Sequence, residues 1–295
     1  MRLLLRAKAR NSSIIYHIYR LYKRFAGQNG AKMQKKRHKT ANLKNRGTRP
    51  PGGKHLQLQP AAEIAFSARL CYAFSRKRQG GLTLKFEHFV WDYDGTLFDT
   101  YDAVARAYCR AAKELGIDIP FDELRYMTKH SLGWTAQQLE GRFRVPAREI
   151  LDTYYRYAPL EETMEAMRPY PGTAEALRAV CEGGGKNYLY SHRDHRSIEA
   201  LEHYGLLLYF TDFITKDDHF PRKPAPDALL HLIRKHGLPP ERCVMVGDRV
   251  LDVQAGLNAG MSGALFDPED FCRGEAPTPW QYPSMDALRR GLIEG

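Results

Sequence analysis

Apolar residues recur along this chain in two rhythms. Short, nearly unbroken apolar runs stand at Phe86–Trp91, Tyr188–Tyr190, Phe213–Thr215, Cys243–Val246 and Gly263–Phe266. Each has the length of a strand buried on both faces. Between them apolar positions fall three and four apart, which predicts helices over Ala174–Cys181, Ser197–Tyr204, Pro226–His236 and Leu251–Ala259. Pro171-Gly172 ahead of the first of these, and Gly237 and Gly260 behind the last two, are the expected start and stop signals. Strands alternating with helices predict an α/β fold, a Rossmann-like three-layer arrangement with a parallel sheet covered on both faces.

The interval 103–168 breaks that alternation. It carries helical patterns at Ala103–Leu115, Thr135–Phe143 and Glu149–Tyr157 and no convincing strand. An insert of about 65 residues is too long for a plain loop and reads as an all-helical cap. It leaves after the first strand and returns at Tyr170-Pro171-Gly172, with hinges expected near Phe98–Tyr101 and Met167–Tyr170. The expected organisation is a basic extension over 1–81, an α/β core over 82–102 and 169–275, the cap over 103–168, and a C-terminal segment over 276–295. In that last segment Trp280 and a helix at Met285–Ile293 dock on the core.

Charge separates the extension from the rest. Residues 1–81 carry 20 Lys and Arg against one acid, Glu63, a net +19, whereas residues 82–295 carry 25 against 33, a net −8. The Gly- and Pro-containing basic stretch Lys32–Lys54 lacks the apolar surface to offset the entropy of ordering it, so disorder is expected there. Ile14–Tyr22 before it has the pattern of a short basic amphipathic helix. A nucleic-acid-binding arm, a membrane-surface helix, an organellar transit peptide and a start of translation assigned too early all fit this composition. Cys71, Cys109, Cys181, Cys243 and Cys272 show neither a C-x-x-C pair nor metal-ligand spacing, which points to reduced thiols and a cytoplasmic protein. No apolar run approaches the roughly 18–20 residues that span a bilayer, so no membrane partner is expected.

The candidate chemistry lies where the strands end, which is where open parallel sheets bind ligands. Asp92 and Asp94 follow the first strand, Ser191 the second, and Asp248 with Asp252 follow Cys243–Val246; Lys223 precedes a helix start. Carboxylates crowded together need a cation, and an all-oxygen set suits Mg2+. A carboxylate nucleophile, a second carboxylic acid, a hydroxyl and an ammonium are the parts phosphoryl transfer requires. In an extended segment the spacing of Asp92 and Asp94 puts both side chains on one side, and Gly95 lets the chain turn away at once.

Four ordered motifs, Asp92-Tyr93-Asp94-Gly95-Thr96-Leu97, Ser191, Lys223-Pro224 and Gly247-Asp248-Arg249-Val250-Leu251-Asp252, resemble those of the haloacid dehalogenase superfamily of hydrolases. The resemblance covers about residues 86–270. The helical insert is similar to the helical-cap class, as in phosphoglycolate phosphatase-like and β-phosphoglucomutase-like enzymes. It implies a magnesium-dependent phosphatase acting on a small phosphorylated metabolite. Asp92 would be the nucleophile that carries the phosphoryl group, and Asp94 would protonate the leaving group and then activate water. Ser191 and Lys223 would hold the phosphoryl group, and Asp92, Asp94, Asp248 and Asp252 would surround the metal. An acid at position 94 favours phosphate esters over dehalogenation, phosphonate cleavage or ion-pumping ATPase chemistry. Sugar-phosphate mutases of this cap class carry a histidine where this chain has Val104, which points to transfer to water.

His192 and Arg193, next to Ser191, are candidates to face substrate, Arg193 as a fork for a carboxylate or phosphate. In the cap, Arg106, His130 and Trp134 are candidates for reading the leaving group, with Trp134 expected rather as a piece of cap core. The competing functions are a sugar-phosphate mutase and a non-catalytic scaffold that reaches nucleic acid through residues 1–81.

Overall fold

The computed structural model of the protein describes residues 84–272 and 274–294. The basic stretch 1–81, with the helix and the disorder expected in it, lies outside the described residues.

Strand β1 (His88–Trp91) is buried along its whole length. The chain then turns, forms the two-residue strand β2 (Phe98–Asp99) and enters helices α1 (Tyr101–Glu114), α2 (Phe121–His130), α3 (Leu132–Phe143) and α4 (Ala147–Glu161). It comes back through β3 (Arg168–Pro169), antiparallel to β2 with Phe98 opposite Pro169. The alternation resumes with α5 (Thr173–Glu182), β4 (Lys186–Tyr190), α6 (Arg196–His203), β5 (Phe210–Ile214), α7 (Asp227–His236), β6 (Cys243–Gly247), α8 (Val250–Asn258) and β7 (Ser262–Phe266). A short β8 (Gln281–Tyr282) and α9 (Met285–Leu288), which runs on as a π-helix over Arg289–Ile293, complete the chain.

Among the described residues β5, β4, β1, β6, β7 and β8 form one sheet in that order, every neighbouring pair parallel. The alternating pattern therefore folds as an α/β parallel sheet. On one face Val90, Tyr188, Tyr190, Cys243 and Met245 pack with Ala228, Leu229 and Leu232 of α7 and Ala255 of α8. On the other, Trp91 Nε1 donates to Asn187 Oδ1 at 2.8 Å, and Asn187 Nδ2 donates to the Leu177 carbonyl of α5 at 3.0 Å. A fully buried amide is thereby satisfied between sheet and helix, as burial demands. Trp280 packs edge-on against Phe86 at 5.2 Å between ring centroids.

Helices α1–α4 share an apolar cluster of their own, with Tyr108, Leu124, Leu139, Ile150 and Tyr154 at its centre. Three features of the chain differ from the pattern. Helix α2 is unannounced because its apolar stripe is thin: Leu124, Thr128 and Lys129 are its buried residues. Its end charges, Asp122 and Glu123 at the start and Lys129 and His130 at the end, are the readable signal. Strand β3 is two residues long and carries no alternation, so no strand was expected before position 169. The final helix widens along its length, α over 285–288 and π over 289–293. No helix among the described residues is long and apolar enough to cross a membrane.

Candidate active site

Because β1 lies inside the sheet, its C-terminal end is flanked by the ends of β4 and β6. Two glycines allow the chain segments there to touch. Gly95 sits at φ +71°, and a Cβ on it would lie 2.2 Å from Asp248 Oδ2 and 2.6 Å from Tyr101 Cε2. Gly247 ends β6 against the first turn of α8, where a Cβ would lie 2.1 Å from that of Asp252. No side chain fits at either position without displacing a carboxylate. The Asp92 amide donates to the Val246 carbonyl at 2.8 Å, which holds the β1 turn on β6.

The product of these turns is a cluster of buried charges. Asp92, Asp248 and Asp252 each offer a carboxylate oxygen within 4.8 Å of the others. Lys223, its side chain wholly buried, places Nζ 2.5 Å from Asp92 Oδ1 and 2.7 Å from Asp252 Oδ1. Its ammonium also stands over the Tyr190 ring, 4.6 Å from the centroid. Tyr101 donates its hydroxyl to Asp248 Oδ2. Asp92 Oδ2 and Asp248 Oδ1 are buried without a hydrogen-bond partner, and the Arg249 Nε nearest Asp248 Oδ1 stands 3.7 Å away. An orphaned buried carboxylate oxygen such as Asp248 Oδ1 is costly unless a cation completes it. The oxygen-only donor set and its burial fit a divalent cation such as Mg2+.

The protonation of the cluster follows from the same crowding. Burial pushes Asp92 up to about 6, with Lys223 pulling the other way and Asp252 adding to the rise. Burial likewise pushes Asp248 up to about 8 against the pull of Arg249. Burial also opposes ionisation of Asp252, but Lys223 and Arg249 outweigh it and hold this carboxyl below the usual range. Lys223 and Arg249 together thus favour the ionised form of Asp252, while burial wins at Asp92 and Asp248.

The remaining motif residues sit around this cluster. Asp94 accepts from Arg193 Nε at 2.6 Å on Oδ1. Ser191 is buried at the end of β4, and its Oγ accepts the Arg193 amide at 3.0 Å. His192 Nε2 accepts the Lys223 amide at 3.2 Å. Burial, with Lys223 and Arg222 beside it, drives this imidazole down to about 3. Arg222 Nη2 stands 3.4 Å from the other ring nitrogen, Nδ1. Arg193 turns out to be engaged by the protein itself, since its Nη1 donates to Glu162 Oε2 while Nε holds Asp94. The fork expected to face a substrate anion is taken by two protein carboxylates.

The candidates from the helical insert are placed differently. Arg106 pairs with Glu161 at 3.3 Å, its side chain 42 % exposed. His130 stacks obliquely on Trp134 at 4.2 Å and meets Phe271 edge-on at 5.0 Å. Its carbonyl lies 3.5 Å from Arg249 Nη1, so it borders the motif that ends β6.

The sequence matches the haloacid dehalogenase-like hydrolase family over residues 86–260. The chain belongs to this family. The phosphoglycolate phosphatase of Aquifex aeolicus is 30% identical over 177 residues, 60% of this chain and 82% of that protein. A 5'-nucleotidase of Pseudomonas aeruginosa is 27% identical over 218 residues, 71% of this chain and 96% of that protein. Among solved structures, a HAD family hydrolase from Deinococcus radiodurans with bound phosphate and sodium superposes with a TM-score of 0.57 at 24% identity. That match covers 70% of this chain and 95% of the other.

Several residues of this haloacid dehalogenase-like hydrolase escaped sequence reasoning. Tyr101 reaches Asp248 from the start of α1, and Glu162 reaches Arg193 from the end of α4. Glu269, in the segment after β7, binds Arg125 and Lys129 of α2. Each contact joins residues far apart in the chain, and no local spacing announces it. The one signal was position: Tyr101 follows the first motif directly, and Glu162 stands at the exit from the insert.

Proposed function

We propose that this hydrolase is a Mg2+-dependent phosphatase that moves the phosphoryl group of a small phosphorylated metabolite to Asp92 and then to water. The observation that carries the reading is the asymmetry of the Asp92 carboxylate. Oδ1 is fixed by the Lys223 ammonium at 2.5 Å, and Oδ2 is left without a partner. A carboxylate held by one oxygen presents the other as a nucleophile of fixed direction.

Asp94 gives a proton to the leaving oxygen and later takes one from the attacking water. Ser191 and the backbone amides after Asp92 donate to the phosphoryl oxygens, and Lys223 balances the charge on Asp92 throughout. Asp92, Asp248 and Asp252, with the Asp94 carbonyl, would hold Mg2+. When bound, the ion offsets negative charge on the phosphoryl group and the cluster. The α1–α4 insert acts as the cap that excludes water from the phosphorylated aspartate. Val104 is buried in that insert's apolar cluster, so the position offers no proton carrier for a mutase, which supports transfer to water. The relatives named for phosphoglycolate and for 5'-nucleotides make these two ester classes the first to try.

Phosphate release from a panel of phosphorylated metabolites, with Mg2+ and with EDTA, tests the proposal. Release is expected only with Mg2+, and Asp92→Asn should lower it by at least about 1,000-fold while the protein stays folded. Undiminished release by Asp92→Asn would remove the nucleophile assignment.

A further inference from the structure

Arg193 is the most heavily committed cation near the site outside the metal-candidate cluster. Its side chain is 16 % exposed. Nε donates to Asp94 Oδ1 at 2.6 Å, and Nη1 donates to Glu162 Oε2. Glu162, 7 % exposed at the side chain, is held in turn by the Tyr154 hydroxyl on Oε1. The guanidinium also lies 5.7 Å from the centre of the Tyr93 ring, in the first motif. Its main chain is pinned at both ends: the amide donates to Ser191 Oγ at 3.0 Å and the carbonyl accepts the Lys216 amide at 2.8 Å.

Asp94 needs such a support. Its side chain is 28 % exposed, and Arg193 is the partner the structure gives its carboxylate among the described residues. Without Arg193 the carboxylate rotates freely about its last torsion, which is broad and two-fold for aspartate. With Arg193 on Oδ1, Oδ2 is the oxygen left to face the leaving group. Glu162 stands at the end of α4, where the helical insert hands the chain back to the sheet, so the support depends on how the insert is seated.

We propose that Arg193 is a positioning residue that fixes Asp94 toward the leaving oxygen, and that Glu162 makes this placement depend on the seating of the α1–α4 insert. This rests on the phosphatase reading of the site. It concerns one stage of the reaction, proton delivery as the P–O bond of the ester breaks. The proton passes from Asp94 to the departing alkoxide oxygen while the phosphoryl group passes to Asp92. A leaving group that departs as a stable anion needs little of that help, whereas an alkyl alkoxide needs all of it.

The test compares p-nitrophenyl phosphate with a simple alkyl phosphate at saturating Mg2+, in the full chain and in Arg193→Met and Glu162→Gln. Thermal melts confirm that each variant is folded. Arg193→Met is expected to lower kcat on the alkyl ester by about 100-fold, the scale of general acid catalysis, and on the aryl ester by less than about 5-fold. Glu162→Gln preserves shape and a hydrogen-bond acceptor, and should show the same bias at about 5- to 10-fold on the alkyl ester. If Arg193→Met does not fold, Glu162→Gln alone decides. An equal loss on both esters in a folded variant overturns the positioning role and leaves the phosphatase reading intact. A wild-type chain that hydrolyses neither ester overturns the phosphatase reading, and the positioning role falls with it.

Discussion

Asp248 is the residue whose environment makes the sharpest demand on the solution behaviour of the protein. Its carboxyl, pushed up to about 8 by burial, keeps its proton in the folded metal-free protein at pH values where the unfolded chain has lost it. The folded state then binds more protons than the unfolded state, so stability must fall as pH rises toward 8. His192 acts in the opposite direction at lower pH: its imidazole, driven down to about 3, favours folding increasingly up to about pH 6.5 and adds nothing above it. The window to read is therefore pH 6.5 to 8, in EDTA, comparing wild type with Asp248→Asn. Wild type should lose up to about 1.4 kcal/mol per pH unit relative to the variant, seen as a falling Tm. Saturating Mg2+ should abolish the loss, because the ion binds the ionised carboxylates; parallel Tm curves in EDTA would mean that Asp248 is not crowded as described. That Asp92, Asp94, Ser191, Asp248 and Asp252 stand at one end of the sheet was readable from short spacings and strand ends, and Lys223 from its place before a helix start. Tyr101 on Asp248 and Glu162 on Arg193 were not, because a single hydrogen bond across the fold leaves no pattern in either neighbourhood.

Helix α2 shows the same limit at the scale of elements. Its thin apolar stripe hid it, and what binds it to the rest of the fold is charge. Arg125 grips Glu269 with Nη1 and Nη2 at 2.7 and 2.8 Å, while its Nε holds Asp102 at 2.5 Å. Lys129, 8 % exposed at the side chain, adds a contact to Glu269 at 2.7 Å and stands over the Tyr101 and Phe271 rings. This clasp ties the helical insert to the segment that follows β7, on the flank where Tyr101 reaches the carboxylate cluster. The hydrogen bonds from Arg125 pull Glu269 down to about 2, so this carboxylate stays ionised at any pH the enzyme works at. Glu269 is 36 % exposed at the side chain, and solvent screening brings the contribution of the clasp to about 1 kcal/mol. Glu269→Gln should speed amide exchange across α2 by about 5-fold, leave α5 unchanged and raise KM more than it lowers kcat. Equal exchange in α2 and α5 would show that the insert is held by its apolar contacts alone. The strands and the helices facing them were readable because both rest on repeating burial; α2, β3 and β8 rest on end charges or two-residue pairings, which carry no period.

For the molecule as a whole, the question is whether the net +19 of residues 1–81 bears on the chemistry of an acidic body carrying −8. The cluster that carries the proposed reaction lies between Asp92 and Asp252, and the contacts of Lys223 and Tyr101 with it join residues of that same interval. Apolar packing of that body reaches back to Leu84, which a Cβ on Gly183 or Gly185 would strike. A chain of residues 82–295 keeps these contacts, so its Mg2+-dependent phosphate release should match the full chain within about 2-fold on a small ester, an ordinary surface-scale change. Polyanion binding should separate the two chains far more. Twenty cationic side chains in 81 residues attract a nucleic acid mainly by releasing its counterions, so affinity of the full chain should fall steeply with added salt. The 82–295 chain, net negative, should bind nucleic acid weakly at any ionic strength. Measuring both activities on both chains distinguishes two architectures. Activity retained with binding lost assigns catalysis to the body and any polyanion affinity to the extension. Activity lost together with binding would mean that the extension takes part in the reaction or in holding the body folded, and a thermal melt of the shorter chain tells those two apart.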